Sequence, residues 1–469
     1  MAFASSDRLK RLPPYLFAEF ERKRAALEKQ GKDIVNLGIG DPDQPPPRLL
    51  LDTLVAHLND EGIPALAVPR LVPRRISKDR LISMSFAPSD RLNRLPPYLF
   101  AEFERKRAIL EKQGKDIVNL GIGDPDQPPP RLLLDTLVAH LKDEGVHQYS
   151  STQGTEEFRS AVATFMKQRY GLVLENREIC LGVGSKEVIA HIPTALTNPG
   201  DVVLCPEPGY PPYRSGTIFA LAEPHVMPLS RKNGFLPDLD AIPADAAKRS
   251  KILYVNYPNN PTGATATKEF YAKCVDFATK HGTIVVSDEA YAELYYEEPP
   301  CSFLEVPGAK EVGIAVHSMT KTFSMAGWRV AWICGNAGLV EILRGFKANC
   351  DSGQFMGFQK AVAKVLTEGT GDMKSIRDMY RCRRDAFVEG CRKLGWDLPS
   401  PRAGLYIWFP VPKAGLASML FAEKALEAGV IMLPGSGFGA AAEGFMRVAL
   451  TVTEERIREA VRRLATITL

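Results

Sequence analysis

Residues 250–288 read SKILYVNYPNNPTGATATKEFYAKCVDFATKHGTIVVSD, and their pattern decides the fold. An apolar run rich in β-branched and aromatic residues (SKILYVNY) ends in a Pro/Asn turn (PNNPTG). An amphipathic stretch follows (TKEFYAKCVDFATKHG, 267–282), then a glycine and a second apolar run (GTIVVSD). Strand, loop, helix, strand at this spacing predicts a βαβ unit with parallel strands. The alternation extends both ways. Apolar runs recur at REICLGV (177–183), GDVVLCP (200–206), VGIAVHS (312–318) and RVAWICG (329–335), with amphipathic stretches at KEVIAHIPTAL (186–196) and LVEILRGFKA (339–348). Near-continuous apolar strands alternating with helices predict an α/β large domain: three α/β/α layers around a mostly parallel sheet buried on both faces. Ligands bind such sheets beyond the carboxyl ends of the strands, so the residues just after these runs matter most.

From about residue 376 the pattern changes. A long polar helix (within GDMKSIRDMYRCRRDAFVEGCRKLG, 371–395) precedes LYIWFPV (405–411), a GVIMLPG strand (429–435), MRVALTV (446–452) and a terminal helix EERIREAVRRLA (454–465). This predicts a smaller α+β domain over 376–469, completed by an N-terminal arm within 84–130, with the large domain spanning 131–375.

The chain also repeats its own beginning. Residues 1–62 and 84–145 align without a gap, differing only at Ala2/Ser85, Ser5/Pro88, Lys10/Asn93, Ala26/Ile109 and Asn59/Lys142. Two units followed by unrelated sequence argue against a solenoid. The second copy runs on into VHQYSSTQGTEEFRSAVATF (146–165), which reads as a turn and then a helix. The first runs into a Pro/Arg-rich linker (63–83). Residues 84–469 are therefore expected to form the functional unit, and 1–83 to be a redundant partial copy plus linker outside the core. The competing reading is that the first copy folds by displacing the second; contiguity with 146–170 favours the second copy, although loop closure alone penalises the swap only mildly.

Composition excludes several classes. Of 469 residues, 45% are hydrophobic, too many for a disordered chain. With 59 basic against 55 acidic side chains the net charge is only +4, which gives no nucleic-acid or membrane-surface signature. No long uncharged apolar run predicts a membrane span, and charges interrupt the start where an export signal would be apolar. Eight scattered cysteines without a CxxC pair predict reduced thiols in a cytoplasmic compartment. The seven histidines show no ligand spacing, so no metal is expected.

The chemistry concentrates at strand ends. HSMTKTFSMAGWRVAW (317–332) places Ser318, Lys321 and Arg329 after one strand; TIVVSDEAYAEL places Asp288 and Tyr291 after another; YVNYPNNPTG places Asn260 after a third. GVGSKEVIAHI makes a glycine turn into a helix at Ser185 and Lys186, where free N–H groups and the helix dipole suit an anion. Individually each has an ordinary structural explanation: a surface lysine, acids capping a helix, half-buried tyrosines. Together, in this order, the segments resemble fold-type I pyridoxal-phosphate enzymes of the class I/II aminotransferase family, across essentially all of 84–469. Thr320 before the lysine, where serine is frequent, and the Met325-Ala326 pair are mild departures.

The resemblance implies pyridoxal 5'-phosphate as cofactor, with Lys321 as the Schiff-base lysine and proton shuttle and Asp288 holding the ring nitrogen. It implies that Tyr291 and Asn260 hydrogen-bond the ring's 3-hydroxyl oxygen. Ser185, Lys186, Ser318 and Arg329 would hold the phosphate, and Tyr210 would stack on the ring. Tyr149 matches a tyrosine reaching the neighbouring subunit's phosphate, which implies a homodimer with shared sites. Arg447 would clamp the substrate α-carboxylate, and Gly123 would let the backbone approach the substrate. Within the family, RLPPYLFAEFERKRAILEKQGKDIVNLGIGDPDQPPP (94–130), GSKEVIAHI and NGFLPDLDAIP resemble LL-diaminopimelate aminotransferases. That implies amino transfer between LL-2,6-diaminopimelate and 2-oxoglutarate in lysine biosynthesis, with Tyr98 touching substrate. The alternatives are an aspartate- or alanine-type aminotransferase, or another enzyme of the fold such as a carbon–sulfur lyase. A transcriptional regulator with an aminotransferase-like domain would need an N-terminal helix-turn-helix, which residues 1–83 do not supply.

Overall fold

The computed structural model describes residues 3–12, 23–24, 26–32, 34, 46–59, 87–95 and 99–468, excepting the side chains of 59, 99–104 and 144. Tyr98 and the linker 63–83 lie outside the described residues.

The chain first contributes a short strand β1 (Val118–Asn119) and then the strands of a seven-stranded sheet: β2 (Ile179–Gly182), β3 (Val202–Glu207), β4 (Glu223–Pro228), β5 (Ser250–Asn256), β6 (Ile284–Asp288), β7 (Gly313–Ser318) and β8 (Ala331–Gly335). Their spatial order is β2-β8-β7-β6-β5-β3-β4. β7, β6, β5, β3 and β4 pair in parallel, and β8 runs antiparallel to both its neighbours, β2 and β7. The sheet is mostly parallel, as the sequence predicts.

Side-chain alternation sorts each strand between two apolar layers. Leu253 and Val255 of β5, Val285 of β6 and Ala315 of β7 face one layer, packed with the helices Glu156–Tyr170, Lys268–His281 and Met356–Glu368. Ile252, Tyr254, Ile284, Val286, Ile314 and Val316 face the other, with Ser185–Leu196 and Ala337–Cys350. Every one of these strand residues is at most 1% exposed. Each buried Val, Ile or Leu contributes roughly 1.5–3 kcal/mol, so the middle of the sheet is where register is fixed. The helix Lys268–His281 starts at Thr267, whose side chain accepts the Phe270 N–H, and stops at Gly282, whose φ of +70° ends it. That cap contributes about 1 kcal/mol, and the stop feeds β6 directly. β4 was not legible in the sequence. It is an edge strand (EPHVMP) with mostly part-exposed residues, so it carries no continuous apolar run.

The small domain is a three-stranded antiparallel sheet of β9 (Tyr406–Pro410), β11 (Leu433–Pro434) and β12 (Phe445–Ala449), in the order β11-β12-β9. The helices Thr370–Lys393, Ser418–Glu427 and Glu454–Leu464 cover its separate core. The expected single strand GVIMLPG is instead two pieces, β10 (Val430–Ile431) and β11, broken at Met432. β10 turns aside to pair in parallel with β1. Val118 and Leu120 N–H groups donate to Gly429 and Ile431 carbonyls at 2.9 Å, and Ala449 N–H donates to the Leu120 carbonyl at 2.7 Å. The arm thus joins the small domain and carries Gly121–Asp124 toward the ends of β5–β7. None of the eight cysteines is disulfide-bonded, and no described helix is long and apolar enough to cross a membrane.

Candidate active site

The register sets the site. Asn256 pairs with Asp288 across β5 and β6, and Asp288 pairs with Val316 across β6 and β7. Three adjacent carboxyl ends therefore present Asn256, Asp288 and Ser318 together. Asp288 is 3% exposed. One carboxylate oxygen accepts the Tyr213 hydroxyl at 2.7 Å and the other the Ala290 N–H at 3.1 Å. Burial pushes its pKa up to about 6 against these two donors, because a charged carboxylate loses more hydration there than two neutral donors return. Tyr213 is itself locked, stacked on Tyr254 with centroids 4.8 Å apart. Asn256 donates to the Asp288 carbonyl at 2.9 Å and accepts the Asn260 N–H at 2.9 Å, tying the Asn260 turn to β6.

Lys321 sits in the helical turn Met319–Thr322, capped by Ser318, whose hydroxyl accepts the Thr320 N–H at 3.2 Å. Its ammonium donates to the Gly123 carbonyl. Burial depresses its pKa, with Arg447 and Arg329 adding to the effect against Tyr406 and Asp124. The shift is toward the free amine, the form that a nucleophile and proton carrier requires.

Arg329 has φ +56° and donates to the Ala326 carbonyl at 2.9 Å. Its guanidinium reaches Gly184, the residue (φ +77°) that opens the helix Ser185–Leu196. A Cβ on Gly184 would lie 2.7 Å from Arg329 Cζ, so the turn must be glycine. Glycine turn, helix N-terminus with Ser185 and the exposed Lys186, and guanidinium together form an anion cradle.

Arg447 enters from β12. It is 3% exposed and donates to the Gly121 carbonyl at 2.7 Å and the Asn260 side-chain carbonyl at 3.1 Å. Its guanidinium lies 4.1 Å above the Tyr406 ring and 4.7 Å from the Phe438 ring. Tyr406 is a site residue the sequence reading missed. The Tyr291 hydroxyl donates to the Tyr406 hydroxyl at 3.3 Å, and a Cβ on Gly123 would lie 2.7 Å from Tyr406 Cζ. Burial raises the Tyr406 pKa, but Arg447 and Lys321 outweigh it and the net shift is downward. Tyr291, without those cations so close, is pushed up by burial and by Tyr406. Tyr210 meets Tyr213 edge-on at 6.0 Å. Tyr149 is 72% exposed.

Lys321, Asp288, Tyr291, Asn260, Ser318, Arg329, Gly123, Arg447 and the Ser185 turn therefore converge between the sheet and the small domain. Tyr213 was passed over because the family pattern in PEPGYPPY points to Tyr210, and Tyr406 because a tyrosine inside AGLYIW reads as packing. The donor set suits a flat phosphorylated cation-bearing ring: an anion cradle at one end, a buried carboxylate lacking a cation at the other, and an amine at its side. Elsewhere, Glu187, His191 and Asp351 could together ligate a metal, but Lys347 ion-pairs Asp351 at 2.9 Å and Glu187 at 3.4 Å and supplies that charge.

Residues 115–464 match the description of aminotransferase class I and II. The chain belongs to that family. This aminotransferase is 49% identical over 385 residues to the LL-diaminopimelate aminotransferase of Desulforudis audaxviator, a match covering 81% of this chain and 98% of the relative. It is 46% identical to that of Aquifex aeolicus, covering 82% and 100%. Among solved structures, substrate-bound BacF from Bacillus subtilis superposes with a TM-score of 0.79 at 36% identity, covering 82% of this aminotransferase and 99% of BacF. A Thermus thermophilus aspartate aminotransferase double mutant superposes at 0.77 and 29% identity, covering 82% and 100%.

Proposed function

We propose that this aminotransferase uses pyridoxal 5'-phosphate to move an amino group between LL-2,6-diaminopimelate and 2-oxoglutarate, yielding tetrahydrodipicolinate and glutamate in lysine biosynthesis. The observation that carries the reading is the identity, 46–49% across nearly the full length of relatives bearing that activity in their names. The site geometry supports it. The cofactor supplies an aldehyde and an electron-accepting ring. Lys321 would hold the cofactor through its amine, and its Nζ would carry the proton of the substrate α-carbon. Asp288 would pair with the ring nitrogen, a cationic N–H there giving its buried carboxylate a partner. Tyr291 and Asn260 would donate to the ring oxygen, and Tyr210 would cover one ring face. Ser185, Lys186, Ser318 and Arg329 would hold the phosphate. Arg447 orients the substrate α-carboxylate with two parallel donors, and Gly123 lets the backbone come close. Tyr98 is assigned to substrate on resemblance alone. Tyr149, projecting from its own subunit, completes the site of a partner in a cytoplasmic homodimer.

The test is an amino-donor panel with purified protein and pyridoxal phosphate. Glutamate formation from LL-diaminopimelate and 2-oxoglutarate, lost on Lys321→Ala together with the visible absorbance of the bound cofactor, is expected. Turnover of aspartate or alanine with none of diaminopimelate would replace this reading with the aspartate- or alanine-type alternative.

A further inference from the structure

The first copy of the repeat touches the folded body in a way its sequence does not announce. Ser6, 1% exposed, donates its N–H to the Ala195 carbonyl at 2.7 Å and its hydroxyl to the Thr194 carbonyl at 2.9 Å. The Asp7 N–H donates to the Asn198 side-chain oxygen at 2.8 Å, and Arg8 Nη2 donates to the Thr197 carbonyl at 2.9 Å. Phe3 and Leu9 pack against the apolar layer containing Ile189 and Ile192. The acceptors are the last carbonyls of the helix Ser185–Leu196 and its exit, groups that have no intrahelical partner and need one from outside. The segment therefore caps the far end of the helix whose near end forms the anion cradle.

The second copy folds the same turn without the dock. Asp7–Lys10 and Asp90–Asn93 are matching helical turns, with cap residues Ser6 (φ −59°, ψ 153°) and Ser89 (φ −65°, ψ 154°) almost superposable. The Ser6 hydroxyl accepts the Leu9 N–H at 3.3 Å, whereas Ser89 makes no such cap bond. Ser89 is exposed, and Leu92 is 51% exposed. Among the described residues, Arg91 reaches the Phe219 carbonyl alone, at 3.5 Å. That contact and the Arg91 charge, which together with burial lowers the Arg8 pKa, put the second turn beside the first. Every docking side chain has its equal: Phe3/Phe86, Ser6/Ser89, Asp7/Asp90, Arg8/Arg91, Leu9/Leu92. Pro88 replaces Ser5, which makes no hydrogen bond among the described residues.

We infer that the end of the helix Ser185–Leu196 is a single receptor slot for a Phe-x-x-Ser-Asp-Arg-Leu segment, filled by the first copy and competed for by the second. Identical side chains on an identical turn have comparable affinity for one set of carbonyls, and two arginines side by side disfavour double occupancy. When the first segment is dislodged, residues 87–92 take its place, Ser89 and Leu92 standing where Ser6 and Leu9 stood. The inference is independent of the proposed chemistry.

Amide hydrogen exchange on the full chain, read by mass spectrometry, tests it; the two segments differ in mass at Lys10/Asn93 and Ser5/Pro88. In the unsubstituted chain, residues 3–12 are expected to be protected and 87–95 to exchange freely. In the double variant Ser6→Pro, Leu9→Asp, protection is expected to move to 87–95, at least about tenfold slower exchange there, the change that about 1.4 kcal/mol of docking gives. Ser89→Pro, Leu92→Asp should leave the original pattern. Protection of both segments at once would overturn the single slot. Free exchange of 87–95 in the first double variant would overturn the competition. Persistent protection of 3–12 in that variant would show that the named contacts do not hold the segment, and would overturn the slot as described.

Discussion

Replacing Asp288 with asparagine should stabilise the cofactor-free protein while disabling it. Burial moves the Asp288 pKa from 3.8 to about 6. About two pKa units correspond to roughly 3 kcal/mol of penalty for carrying the charge in the folded chain. The folded state binds the proton more tightly than the unfolded state. This contribution is thus fully favourable below the unfolded value near 3.8, declines as pH rises, and is lost above about 6. Asparagine keeps the shape and a side-chain oxygen for Tyr213, but has no charge to desolvate. The measurement is urea unfolding of both cofactor-free proteins between pH 4 and 8. The stability of wild type minus variant is expected to fall by about 2 kcal/mol from pH 4 to pH 7 and then level off. Glu289, pushed up to about 7 by burial, titrates nearby in both proteins and cancels in that difference. Bound pyridoxal phosphate should abolish the slope, because its ring N–H gives the carboxylate a cation. Turnover by the variant should fall at least ~100-fold, the scale of losing one preorganised charge in a buried site. A difference flat with pH would mean that the Asp288 charge is already compensated in the empty chain, and the argument that it awaits a cation would fail.

Arg447→Ala removes two charge-assisted donors, each contributing about 1.5–3 kcal/mol; kcat/KM should fall ~100-fold or more, and an unchanged value would remove Arg447 from the carboxylate clamp. Tyr406→Phe keeps the ring beneath the guanidinium but deletes the hydroxyl beside Lys321 and Tyr291; KM should hold while kcat drops ~100-fold, the lower end of the general acid–base scale, and the pH–rate profile shifts. A rise in KM alone would make Tyr406 a purely steric support. Gly184→Ala should weaken pyridoxal phosphate binding, measured by fluorescence titration, far more than it lowers the melting temperature, since the added Cβ meets the Arg329 guanidinium. Equal cofactor affinity would show that Arg329 swings away freely.

The central strands were legible because burial on both faces forbids polar residues, leaving apolar runs as unmistakable as β5 and β6. The candidate residues at their ends stood out for the converse reason: Asp288, Asn260 and Lys321 are polar groups where an apolar run stops. Tyr406 was hidden because it lies within an apolar strand, where an aromatic ring is ordinary packing; only its approach to Gly123 and Arg447 reveals it. The edge strand Glu223–Pro228 was hidden by its half-solvated face. The docking of residues 3–12 was illegible in principle, since two copies of one segment carry the same local signals and only the body can choose between them.

The hydrogen bond from Arg447 to Asn260 joins the small domain to the large one. A carboxylate arriving at that guanidinium competes with the Asn260 amide oxygen and the Gly121 carbonyl for the same protons. With Arg447 in its proposed role as carboxylate clamp, substrate entry is an exchange of partners, with the net reward set by an anion displacing neutral acceptors. An amine without an acid group has nothing to offer in that exchange, so the empty site is latched against it and admits amino acids by trading bonds.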